Sequence, residues 1–258
     1  MKELFDEVVG QSPLDPRESS RQSSAAPKRK RFYKDVGVAE GDNGFTVTLD
    51  GKPIRTPSQA MVVVPAREIA DTIAAEWAAQ AETIDPMTMP LTRLANSIVQ
   101  GVIDRADLVA DDIAKYFGSD LLFYRAEFPE ALAAKQGEHW DLILRWAADD
   151  LGAHFILAQG IMPVRQPEQA ISNARARLPS DPWRIGALHV VTTVTGSALL
   201  ALALHESFCD ADAVWAAAHV DDHGSAWAIL PIGMPRNGVS TRRSRRAARH
   251  VGAISMRP

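Results

Sequence analysis

FTVTLDGKPIRTPSQAMVVVPAREIADTIAAEW, residues 45–77, changes its period once, at Pro65, and that change decides the fold. Before it, Phe45, Val47 and Leu49 alternate with Thr46 and Thr48, which places the apolar side chains on one face of a strand. Asp50-Gly51 follows as a hairpin signal, because glycine tolerates the positive φ of a tight turn. The returning strand takes in Ile54, and Pro53 and Pro57 keep it short or at a sheet edge. Met61-Val62-Val63-Val64 reads as one more buried strand. Beyond Pro65, a residue that costs no hydrogen bond in a first helical turn, Ile69, Ile73 and Trp77 recur every four residues. The period predicts an amphipathic helix to about Ala81, and ordered structure is expected to begin near Arg31.

Working outward, the connector IDPMTMP at 84–90 carries two prolines that disfavour helix, and from Leu91 the chain reads as helical almost throughout. Leu94, Ile98 and Val102 mark one helix; Leu108, Val109, Ile113 and Phe117 mark the next, with Asp104 as its cap. Leu132, Trp140, Leu144 and Leu151 share related faces of a third stretch over 129–151. A Pro-rich link near 163–167, a shorter helix near 168–177 and a helix over 210–219 with Val214 and Trp215 complete the pattern. Residues 185–205 lack Asp, Glu, Lys and Arg and are long enough to span a bilayer. His189, Thr192, Thr193, Thr195, Gly196 and Ser197 dilute that apolarity, so the segment reads as a buried helix, or as two helices meeting near Gly196. The expected fold class is α+β: a small β-rich N-terminal domain over 31–90, then a larger all-helical domain over 91–230. A disordered leader over 1–30 and an Arg-rich tail over 231–258 flank them.

The composition, 46% hydrophobic and 23% charged in 258 residues, is that of a globular protein able to bury a core. A single cysteine, Cys209, excludes an internal disulfide framework and a Cys-based zinc site. The net charge of −4 conceals an asymmetry, because seven arginines and no acid follow Asp222. Residues 1–222 hold 21 basic residues against 32 acidic ones, a charge of about −11, which argues against a nucleic-acid-binding core. Acids near the start and the lack of an apolar run there disfavour both a secretory signal and a mitochondrial presequence.

The residues of familiar catalytic and nucleotide sites are missing: the sequence has no GxGxxG, GxxxxGK[ST], HExxH or GxSxG, and no cofactor is expected. His219 and His223, four apart beside Asp221 and Asp222, have a spacing that could ligate a metal, but Gly224 weakens the helix and no third ligand is indicated. Asp111-Asp112 and Asp149-Asp150 point about 100° apart within each pair on a helix, so they read as solvated faces, not acid/base dyads. Gly196-Ser197 reads as close packing inside an apolar helix. The Arg-rich stretch 236–249 has no aromatic residue for base stacking, so nucleic acid is not expected; binding of an anionic surface or nucleic acid through this tail stays the alternative.

Several strings carry more information than these absences: RFYKDVGV at 31–38, LDGKPIRTP at 49–57, Glu76-Trp77 with Gln80, and MPLTRLANSI at 89–98. Tyr116, Asp120-Leu121-Leu122, Tyr124-Arg125, Gln136, Trp140, Thr195-Gly196-Ser197 and Ala213 with Trp215 continue them in order. Together, over about residues 31–222, they resemble the family of assembly chaperones for the alpha subunit of F-type ATP synthase. The resemblance implies a non-enzymatic, monomeric protein that binds the unassembled alpha subunit until the beta subunit replaces it, with no small-molecule substrate and no membrane span. It implies a bacterial cytoplasmic location, or the mitochondrial matrix in a eukaryote. It marks Asp50, Gly51, Trp77, Pro90, Arg93 and Trp140 as structural motif residues, and Asp221, Asp222 and Trp215 as client contacts. The family continues with an acidic helix bearing a Trp-Gly pair, whereas HGSAWAILPIGMPRNGVSTRRSRRAARH at 223–250 departs from it, as a reading-frame change would.

Overall fold

The computed structural model describes residues 29–160 and 162–223, with the backbone alone at Asp222 and His223. The described chain is mixed α and β, with a small antiparallel sheet first and helices afterwards. It divides into two compact units after Ile103.

In the first unit, β1 (Val36–Gly41) pairs antiparallel with β2 (Gly44–Leu49), Val38 opposite Val47 and Val36 opposite Leu49. β2 then pairs with the two-residue β3 (Lys52–Pro53). The alternation behaves as the period demands: Val47 and Leu49 are buried. Asp50 and Gly51, at φ 49° and 77°, make the turn between β2 and β3. Helix α1 (Arg67–Ala78) lays Ile69, Ala70 and Ile73 against β1 and β2. A short 3₁₀ turn, Pro86–Thr88, leads into α2 (Pro90–Gly101), where Pro90 occupies the first helical turn. This helix groups with the sheet, although the expected division at 90/91 assigns it to the helical part.

Two expectations for this unit are corrected. Met61–Val64 is not a strand: Met61 bridges Arg55, Val64 bridges Phe45, and the ladder never runs on between them. The segment takes hydrogen bonds from two neighbours in turn, Val62 N donating to Ile54 O (3.3 Å) and Val64 N to Phe45 O (2.8 Å). Helix α1 also stops at Ala78, short of Ala81, because the Gln80 side chain turns back to accept the Asp85 N–H (2.8 Å).

In the second unit, α3 (Ala106–Tyr116) is capped by the Arg105 backbone with no side-chain bond, so Asp104 is not its cap. A 3₁₀ turn (Leu121–Phe123), β4 (Tyr124–Arg125) and α4 (Glu130–Leu151) follow. Then come β5 (Ala158–Gln159), α5 (Glu168–Arg175), α6 (Pro182–Thr195), α7 (Ala198–His205), α8 (Ala211–Ala218) and a 3₁₀ turn (Val220–His223). The unit is not all-helical, because β4 and β5 form a two-residue parallel pair. The apolar stretch 185–205 resolves into two helices: Gly196 at φ 71° ends α6 in the left-handed conformation, and Ser197 opens α7 by accepting the Leu200 N–H (3.0 Å). Residues 198–204 are all buried, with α3, α4, α6 and α8 packed around α7 as the core of the unit. No helix among the described residues is long and apolar enough to cross a membrane.

The leader over 1–28 and the tail over 224–258 lie outside the described residues, and with them the Arg-rich stretch and the departure from the family pattern.

Candidate functional site

In the first unit the motif strings have clear mechanical tasks. The Arg31 guanidinium donates to three carbonyls, those of Gln80 (2.6 Å), Tyr33 (3.1 Å) and Lys34 (3.2 Å), tying the entering chain to the end of α1. The Tyr33 hydroxyl donates to Trp77 O (2.7 Å), and the two rings meet edge to face at 5.6 Å. Burial raises the Tyr33 pKa, and the nearby Arg31 charge opposes it. Asp50 Oδ1 accepts the N–H groups of Asp35 (2.8 Å) and Lys34 (3.0 Å), which hold its carboxyl below the usual range. Glu76 caps α2 from a distance: its oxygens accept the N–H groups of Leu91 and Thr92 and the Thr92 hydroxyl, all at 2.8 Å. Arg93 is exposed, with Nη1 3.8 Å from Met87 Sδ. The strings around 31–38, 49–57 and 76–80 meet along one groove of this unit, whose lining includes Tyr33, Ile54 and Trp77.

In the second unit Asp221 meets a polar pair on α4 and its neighbours. Gln136 Nε2 donates to Asp221 Oδ1 (3.0 Å) while its Oε1 accepts the Ala126 N–H (2.8 Å). One turn on, Trp140 is fully buried and its Nε1 donates to Ala217 O (2.8 Å). The Arg125 guanidinium lies 5.3 Å over the Trp140 ring and pairs with Asp141 (2.5 Å). Trp215 is only 6% exposed and stacks on His219 at 4.0 Å, so it braces α8 from within. Asp221 is half-buried beside it, and the Asp222 side chain lies outside what is described. His219 Nδ1 lies 2.9 Å from Trp215 O, and no group of three metal-ligating side chains occurs among the described residues.

Spacing alone misses the role of Asp120. Its carboxylate is wholly buried, accepting the Leu199 N–H (3.0 Å) at the start of α7 and the Leu122 N–H (3.2 Å) of the 3₁₀ turn. Desolvation pushes its pKa up to about 6, against the opposing hydrogen bonds from Ser197, Leu199, Leu122 and Ala198. An acid followed by apolar residues, Asp120-Leu121-Leu122, is the one local trace of this cap. Among the paired acids, Asp112 meets Lys115 within α3 (2.8 Å) and His189 of α6 (3.0 Å), and Asp111 pairs with Arg175 of α5, so both acids tie α3 to other helices.

Residues 30–148 match the family model described as ATP12 chaperone protein. The crystal structure of Atp12 from Paracoccus denitrificans aligns with a TM-score of 0.76 and 37% identity, over 88% of this chain and 97% of that one. Atu1473 from Agrobacterium tumefaciens aligns with a TM-score of 0.77 and 40% identity, over 98% and 94%. The mitochondrial protein atp12 of Schizosaccharomyces pombe is 24% identical over 184 residues, 66% of this chain; the alignment spans 63% of the yeast protein's length. These likenesses put the molecule in the class of chaperones. The chain belongs to the ATP12 chaperone family.

Proposed function

We propose that this protein is an assembly chaperone of F-type ATP synthase, that it binds the unassembled alpha subunit, and that it releases that subunit to the beta subunit without catalysis. The observation that carries the reading is the 37% identity with Paracoccus Atp12 across 97% of that chain. The physical logic is that an interface lacking its partner invites nonspecific association until something covers it. Asp221 and Asp222 are the proposed acidic contacts, with Gln136 orienting Asp221 and Trp215 bracing the helix behind it. The protein acts as a monomer in a bacterial cytoplasm, or in the matrix of a mitochondrion, and needs no cofactor. The test is co-purification with the alpha subunit together with suppression of that subunit's aggregation; failure of both sinks the reading. Salt-sensitive binding to anionic vesicles or RNA, with no effect on the alpha subunit, would favour action through the seven late arginines instead.

A further inference from the structure

The groove of the first unit, about 690 Å³ in volume, has three features that together describe an occupant. Its floor is apolar, with Tyr33 and Ile54 each 5% exposed, while Phe32 at its mouth is 67% exposed and stacks edge-on against Tyr33 at 5.3 Å. In Trp77, which also lines it, Nε1 is buried with no hydrogen-bond partner. Its charged lining is basic: Arg29, Lys52 and Arg55 are exposed, and the one acid, Asp50, already spends Oδ1 on two backbone N–H groups. Neither Arg29 nor Lys52 makes an ion pair with any described residue. Pro53 in β3 has no N–H to offer an added strand, so side chains, not a continuing ladder, must provide selectivity.

We propose that this groove is a docking site for an extended acidic segment of a partner protein, one that presents an apolar side chain to the Tyr33–Ile54 floor beside Phe32 and Trp77, and carboxylates to Arg29, Lys52 and Arg55. A short acidic peptide suits three cations. A long polyanion such as RNA would run on from them into a chain that carries about −11 over residues 1–222. The site goes beyond the client contacts assigned to Asp221 and Asp222, and it does not depend on the alpha subunit being the client.

The experiment is fluorescence anisotropy with the full chain and a fluorescein-labelled peptide alternating aspartate and leucine. Controls are the same peptide with lysine for aspartate and with serine for leucine. Binding should weaken with salt, fall about tenfold in the exposed Lys52→Glu/Arg55→Glu double variant, and fall several-fold in Phe32→Ser, which removes the exposed apolar contact at the mouth. Circular dichroism melts check that both variants stay folded, and the double variant alone tests the site if Phe32→Ser does not. Equal binding of the lysine peptide, an affinity unchanged in the double variant, or displacement of the peptide by single-stranded RNA bound more tightly in the groove would each overturn the proposal. Because no alpha subunit is present, a failure here leaves the aggregation assay free to succeed, and the reverse.

Discussion

Glu76 and Asp120 perform the same task at opposite levels of hydration. Each carboxylate satisfies N–H groups at the start of a helix that is distant in sequence, 16 and 79 residues away in the longest cases of Thr92 and Leu199. Removing Glu76 by substitution with alanine should cost about 1–2 kcal/mol, since a part-buried cap is lost and three donors are left without it. Urea unfolding checks this, and a midpoint equal to that of the parent chain would refute the capping role. At Asp120 the sign differs. The carboxyl titrates at about 6 in the fold, against 3.8 ordinarily, so below about pH 4 it is protonated in both states and adds no penalty. As pH rises through about 6 the unfolded chain ionises more easily, and stability is lost, by about 3 kcal/mol in total. Asp120→Asn loses one of the two acceptor oxygens at every pH but has no such titration, so the stability of the parent relative to this variant should fall between pH 4 and 7. A pH-independent difference, measured by denaturant unfolding, would show that the charge is not desolvated.

At the scale of elements, the joint between α6 and α7 is the decisive one. Seven consecutive buried residues, 198–204, leave α7 almost no polar face, so packing against its neighbours and the turn and caps at its start orient it. Gly196 takes φ 71°, and a Cβ there would meet nothing nearer than Leu121 Cβ at 4.0 Å. Gly196→Ala should therefore cost about 1 kcal/mol through backbone strain alone, with no clash, and lower the melting temperature by a few degrees. A loss several times larger would mean that α7 has been displaced. The legibility of the elements follows from how local each one is. The period of Phe45, Val47 and Leu49 and the Asp50-Gly51 turn belong to neighbouring residues, and both appear in the structure as read. Met61–Val64 has the composition of a strand, yet it pairs with Ile54 and Phe45 in turn, which no property of four adjacent residues encodes. The two-residue pair β4–β5 joins segments 34 residues apart and has no periodicity to detect.

Across the whole molecule, charge is distributed by region. The seven arginines after Asp222 stand against a net of about −11 before it. Deleting residues 231–258 should abolish salt-sensitive adsorption to anionic vesicles while leaving capture of the alpha subunit intact, because the proposed contacts precede the cut. Vesicle sedimentation and co-purification, run on the same truncated chain, read both outcomes. Loss of alpha-subunit capture would move the client site into the tail and away from Asp221.

From the sequence alone came the order of a β-bearing part before a helical one and the family, because motif strings, turns and periods are carried by adjacent residues; the break at Gly196 is one of two readings, and the structure chose it. Tertiary structure decided that Trp215 is buried, that Gln136 holds Asp221, and that Asp120 is a desolvated cap under α7. It also decided that strings more than 20 residues apart, around Tyr33, Ile54 and Trp77, share one groove. Burial, desolvation and hydrogen bonding between distant segments arise only when the chain has closed on itself, and these are the quantities that separate a buried brace from an exposed contact.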